Sequence, residues 1–194
     1  MDLTSITPSP SQLKALTHPT RLRMLELLRI EGPATATQLA TRLGLNTGAT
    51  SYHLRQLADH GYVVDDDERG NARDRWWKAA HQATRSSSHA MREPEEKETQ
   101  DAFIQAAMTL HTESLQGAME ERPLLPQEWR EASGFSDWGL RIPAARAEEL
   151  VNRLVDILEE WEEEPTAEGA ADFMVQLHAF PRPGVVGRPE GDVR

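Results

Sequence analysis

Between Thr35 and His60, two short apolar stripes of helical period meet at a three-residue joint, Gly44-Leu45-Asn46. This joint restricts the fold more than anything else in the chain. Glycine supplies the left-handed residue that ends one helix, and the asparagine side chain accepts from the first free amides of the next. The first stripe, residues 35–43, turns Leu39, Ala40 and Leu43 inward, and Leu45 is expected to pack back. The second, residues 47–60, buries Leu54 and Leu57, with Ala49 or Thr50 one turn earlier. Its opposite face presents Thr47, Gly48, Ser51, Tyr52 and Arg55, all small or hydrogen-bonding. Two short helices joined in this way have the layout of a helix-turn-helix.

The flanks agree with that layout. Residues 11–16 predict a short helix with Leu13 and Leu16 on one side. Pro19 fits the first turn of a following helix, where its missing N–H costs nothing, and Leu22, Met24, Leu25 and Leu28 form the buried stripe. Gly32-Pro33 stops it. After Gly61 the period changes from helical to alternating, with strands expected over 62–68 and 73–78 around the turn signal Gly70-Asn71. A helix-turn-helix followed at once by a hairpin is a winged helix.

These residues carry a resemblance. His18-Pro19-Thr20-Arg21-Leu22-Arg23-Met24-Leu25-Glu26-Leu27-Leu28 resembles the opening helix of ArsR-like winged helix-turn-helix repressors. Thr50-Ser51-Tyr52-His53-Leu54-Arg55-Gln56-Leu57-Ala58-Asp59-His60-Gly61-Tyr62-Val63 resembles their recognition helix and first wing strand. The similarity covers about residues 11–80. It implies a homodimer that reads an inverted repeat, with base-facing positions at Thr47, Gly48, Ser51, Tyr52 and Arg55. Gly48 departs from the polar residue usual there, which removes a base contact or lets the helix approach more closely. Arg55 is placed to fork onto guanine or hold a phosphate, against the plainer reading of a solvated surface arginine. His53 matches a histidine common in the family, and packs or bonds a phosphate. The wing brings Arg69, Arg73, Arg75 and Lys78, opposed by Asp65, Asp66, Asp67 and Glu68 beside them. Trp76 and Trp77 are expected in packing, with base stacking as the rival use.

Net charge argues against DNA only until it is resolved along the chain. The total is −11. Residues 1–80 hold 10 Lys+Arg and 9 Asp+Glu, a net of +1, and residues 81–194 hold 11 and 23, a net of −12. The halves therefore have different jobs. With no cysteine, disulfides, thiolate metal sites and cysteine nucleophiles are all excluded, and the thiolate metal site of the founding family members has no counterpart. His111 and Glu113 lie close in sequence, but His81, His89 and His178 are scattered, so no metal and no cofactor is expected. No nucleophile elbow, phosphate-binding glycine loop or zinc helix motif appears, so the chain does not read as an enzyme. Neither a membrane span nor a signal peptide is expected, which places the chain in the cytoplasm.

The second half reads more coarsely. Residues 81–98 have the composition of a linker or a helix start. Residues 99–121 predict an amphipathic helix with Phe103, Ala107 and Leu110 along one strip and Ile104, Met108, Leu115 and Met119 beside it. The first three are the candidate dimer contacts, although the same helix equally suits an internal core. A short helix is expected over 126–133, and a long one from Pro143 to about Glu163 with Ala147, Leu150, Val151, Leu154, Leu158 and Trp161 buried. Alternation over 136–142 and 173–180 predicts two strands that pair. Trp129, Phe135, Trp138 and Trp161 can line an apolar pocket for a small-molecule effector, or form core. Residues 181–194, rich in proline and glycine, are expected to be disordered.

The expected architecture is mainly α with a small β-hairpin wing: a winged helix-turn-helix over 1–80, a linker over 81–98, a helical dimerisation or sensing region with a short β element over 99–180, and a tail. The expected function is sequence-specific DNA binding by a transcriptional regulator. The competing reading is a winged-helix module that binds a protein partner and lacks specific DNA affinity.

Overall fold

The computed structural model describes residues 4–69, 75–85 and 91–187. In chain order these form β1 (Ser5–Ile6), α1 (Pro10–Leu16), α2 (Pro19–Ile30), β2 (Ala34–Thr35), α3 (Ala36–Leu43), α4 (Thr47–Asp59), β3 (Val63–Asp65), β4 (Trp76–Ala79), β5 (Ala83–Thr84) and α5 (Pro94–Glu121). A 3-10 turn at Arg122–Leu124 leads to α6 (Gln127–Ala132) and α7 (Ala144–Glu159). None of the described helices is long and apolar enough to cross a membrane.

Helix boundaries follow local chemistry. In α1, Ser9 Oγ accepts from the Gln12 amide while the Gln12 side chain accepts from Ser9 N–H at 3.0 Å. Thr35 and Gln38 repeat this reciprocal cap at the start of α3, at 3.2 and 2.8 Å. Gly44 ends α3 with φ of 65°, and the Leu45 amide donates to Ala40 O at 2.8 Å. The expected joint is present, with one difference. Leu45 remains 37% exposed, because its amide rather than its side chain closes the turn. Asn46 Oδ1 then accepts from Ala49 N–H at 2.8 Å and starts α4.

The wing sheet has three strands in the order β2-β4-β3, all antiparallel. Val63 pairs with Ala79 and Asp65 with Trp77, while Ala34 pairs with Trp77 on the other edge. Both hairpin strands are shorter than alternation predicts, and β2 was not expected at all. The turn at Gly70-Asn71 lies outside the described residues. The stretch read as a linker supplies β5, which pairs in parallel with β1, and the first turns of α5.

One core joins these elements. Leu25 and Leu28 of α2, Leu54 and Leu57 of α4, Leu13 and Leu16 of α1, and Tyr62, Val63 and Trp77 of the wing are all at most 4% exposed. The start of α5 closes it: Phe103 is 8% exposed, and Ala107 and Leu110 pack against the same cluster. These candidate dimer contacts thus serve the chain's own core, while the neighbouring strip of Ile104, Met108, Leu115 and Met119 stays 39–49% exposed.

The second half departs from expectation in two places. Residues 136–142 and 173–180 form no strand. The latter segment instead runs along other side chains: His178 Nε2 lies 3.3 Å from His111 Nδ1, and the Phe173 ring is 6.3 Å from that of Trp129. Alternation alone makes no ladder when the neighbouring surface is a helix. Helix α7 ends at Glu159, and its apolar face is not buried: Leu150 and Leu154 are 37% and 38% exposed, and Trp161 beyond it 72%. Polar links join α7 to the strands β1 and β5 and their flank, from Glu159 to Ser5 and Arg85 and from Asn152 to Arg85. The expected tail lies partly outside the described residues. Residues 181–187 are exposed turn and coil.

Two stability measurements test this packing. Phe103→Ala is expected to cost about 3 kcal/mol in urea unfolding, the range for emptying a core aromatic site. The loss should not vary with protein concentration, because the contact lies within one chain. Asn46→Ala is expected to cost about 1 kcal/mol through loss of the α4 cap.

Candidate nucleic-acid interface

Three fully buried side chains decide which face of α4 reaches solvent. Thr50, Leu54 and Leu57 are each 0% exposed, and Thr50 Oγ1 donates back to Asn46 O at 3.2 Å. The helical period then turns Thr47, Gly48, Tyr52 and Arg55 outward, with Ser51 half-buried at the edge. The five candidate reading positions therefore share one accessible face. Tyr52 is 51% exposed. Arg55 is exposed and has no carboxylate partner among the described residues, so its guanidinium is free for a phosphate or a guanine edge. At Gly48, an added Cβ would sit 3.3 Å from Asn46 Oδ1. The missing side chain thus leaves the N-cap acceptor undisturbed.

The wing cations are arranged differently. Lys78 Nζ donates to Asp66 Oδ1 at 3.0 Å, and Arg69 Nε lies 3.6 Å from Asp66 Oδ2, while Asp66 itself is 5% exposed. Arg75 hydrogen-bonds Asp65 and places its guanidinium 4.0 Å over the Trp77 ring. That bond holds the Asp65 carboxyl below the usual range and raises Arg75. The acidic run therefore neutralises the wing from within instead of standing apart from it. Arg73 lies outside the described residues. Trp77 is buried and Trp76 half-buried, which fits packing rather than base stacking.

Histidines take supporting places. His18 Nδ1 accepts from Thr20 N–H at 3.2 Å as the N-cap of α2. His60 Nδ1 contacts Gln56 O at 2.8 Å, and Gln12 Nε2 donates to His60 O at 3.1 Å, fastening α1 to the end of α4. His53 stacks on His18 with ring centroids 4.6 Å apart. That contact, the burial of Asp66 and the buried Arg29 were missed from the sequence. Arg29 donates to His81 O and Thr84 Oγ1 at 2.8 and 2.9 Å, and burial lowers it to about 10. An arginine in the last turn of a helix with a buried apolar stripe was the available signal for the last.

No group of three or more His, Asp or Glu suited to a metal occurs among the described residues. The aromatic residues considered for an effector pocket do not enclose one: Trp138 is 81% exposed, Trp161 72% and Phe135 52%.

Residues 16–63 match a family model described as a helix-turn-helix domain. The HTH-type transcriptional regulator NmtR of Mycobacterium tuberculosis (strain ATCC 25618 / H37Rv) is 45% identical over 56 residues, which is 29% of this chain and 46% of that relative. The chain thus spans under half the length of the curated relative it matches. Two solved structures align over 73% of the chain at 17% identity: ZitR of Lactococcus lactis (C30AH42A mutant, apo form; 83% of that chain, TM-score 0.34) and the adhesin competence repressor AdcR of Streptococcus pyogenes (78% of that chain, TM-score 0.32). Those alignments are too loose to add to the fold. The helices of residues 16–63, with the three-stranded wing behind them, give the first part of this chain a winged helix-turn-helix fold, similar in sequence to the helix-turn-helix domain of such regulators.

Proposed function

We propose that the chain is a cytoplasmic, sequence-specific DNA-binding transcriptional regulator that reads an inverted repeat as a homodimer. The observation that carries this is the face of α4: Thr47, Ser51, Tyr52 and Arg55 are held accessible by a fully buried opposite face, and Arg55 is uncommitted. Short polar side chains and one free arginine on a rigid helix are what base-edge recognition requires. Phosphate contacts come from the wing, but Arg69 and Arg75 must exchange a carboxylate for a phosphate to make them. The role asked of the chain is binding, with no chemical step.

Dimerisation falls to α5. Since Phe103, Ala107 and Leu110 face the core, the strip of Ile104, Met108, Leu115 and Met119 is the surface left for a second copy. A two-fold pair would set two α4 helices about one turn of DNA apart, roughly 34 Å. The acidic second half turns away from the duplex and is where an effector would act.

Selection from a randomised duplex pool, followed by anisotropy titration, tests the reading. The expected product is an inverted repeat with half-sites about one helical turn apart, bound with an affinity that falls as a power of salt concentration. Arg55→Ala should weaken that complex by about tenfold to a hundredfold, the range for one lost base-directed arginine. Arg75→Ala should weaken it less, because its carboxylate partner opposes the contact. A pool with no enriched sequence favours a winged-helix module that binds a protein partner.

A further inference from the structure

On α4, His53 sits between exposed Tyr52 and fully buried Leu54. Its ring lies 4.6 Å from that of His18, tilted by 49°, and the Tyr52 ring stands edge-on to it at 5.4 Å. His53 Nδ1 is buried without a hydrogen-bond partner. His18 Nδ1 is occupied in capping α2, so that nitrogen must carry a lone pair. The two imidazoles therefore bridge the reading helix and the start of α2.

We propose that His53 is a positioning residue for DNA reading: through its ring contact with His18 it ties α4 to the N-terminus of α2 and sets the angle at which Thr47, Ser51 and Arg55 are presented. The inference rests on the DNA-reading role proposed for α4.

The contact is sensitive to charge. The groups whose positive charge opposes a proton on His53 are Arg21 and, once protonated, His18, and Arg21 is fixed there by the carbonyls of Ala15 and Lys14. Charged groups on the other elements packed on α4 are engaged elsewhere. Arg42 of α3 pairs with Glu31, Asp65 of β3 with Arg75, and Arg23 of α2 with Glu113, while Arg29 reaches β5 and Glu26 lies among Arg23, Arg29 and Glu113. Along α4 itself, Tyr52 meets the ring edge-on and His60 is held by Gln56 O. Asp59 and Arg55 lie on the exposed side. A proton on either ring would thus add a cation beside cations, and on His18 Nδ1 it would remove the cap acceptor. Burial first, and then these neighbours, hold both imidazoles below their ordinary value of 6.5. A lowered folded-state value means the unfolded chain takes the proton more readily. The contact is therefore fully present above pH 6.5 and is lost as pH falls through the lowered values.

The test uses the full chain as wild type, His53→Phe (ring kept, proton site removed) and His18→Asn (cap acceptor kept, ring removed). Imidazole NMR titration without DNA is expected to show His18 and His53 both titrating low, with His53 moving toward its ordinary value in His18→Asn. With the selected duplex, wild type should lose at least about fivefold more affinity than His53→Phe between about pH 7.5 and about pH 5.5, the scale of a modest pKa coupling. His18→Asn should bind more weakly at the higher pH and have a flattened pH profile, and it supplies the comparison if His53→Phe does not fold. Parallel profiles for all three proteins, or a His53 titration indifferent to position 18, overturn the proposal while leaving DNA reading intact. Absence of DNA binding by wild type at the higher pH overturns both.

Discussion

The left-handed turn at Gly44 fixes the relation between α3 and α4, and the rest of the interface depends on it. With φ at 65°, a residue bearing a Cβ would be strained there. The turn lets the Leu45 amide reach Ala40 O and leaves Asn46 extended, with its side chain free to cap α4. From that start the helix runs so that Thr50, Leu54 and Leu57 all reach the core. Burial of one side is what exposes the other. The reading face is thus a consequence of core packing, and its uncommitted Arg55 is an addition to a surface already determined.

Electrostatics sharpen this picture. A chain of net charge −11 approaches a polyanion only through a local surplus of cations, and that surplus is +1 over residues 1–80. Within that part, Asp65 and Asp66 already engage Arg69, Arg75 and Lys78. The described wing is close to self-neutral, so recognition rests more on α4 than a count of arginines implies. The same pairs stiffen the hairpin: Asp66 is nearly inaccessible, and Lys78 spans from the neighbouring strand to reach it.

The helices of the first eighty residues were legible because each has a local cause that can be read from residue type. Gly44, Asn46 and Pro19 mark boundaries, and the spacing of Leu22, Leu25, Leu28, Leu54 and Leu57 marks buried faces. The cap at Thr35 was equally local, since Gln38 stands three residues on, and it went unread. Strands β1, β2 and β5 are two residues each and exist through long-range pairing, which no local pattern reports. Alternation over 136–142 and 173–180 misled for the converse reason: the pattern was present but no strand lay alongside. On α7 the apolar stripe is present, yet a stripe does not name its partner, and among the described residues Leu150 and Leu154 stay over a third exposed. At the candidate interface the residue types were legible, whereas the pairing of the wing cations and the His18–His53 contact required three dimensions.

Amide chemical-shift mapping during titration with the selected duplex tests the central claim most directly. If α4 reads DNA, the largest changes fall on residues 47–55, with smaller ones at the wing and little along α7. Changes concentrated on α7 and the 173–180 segment, with α4 unmoved, would contradict it.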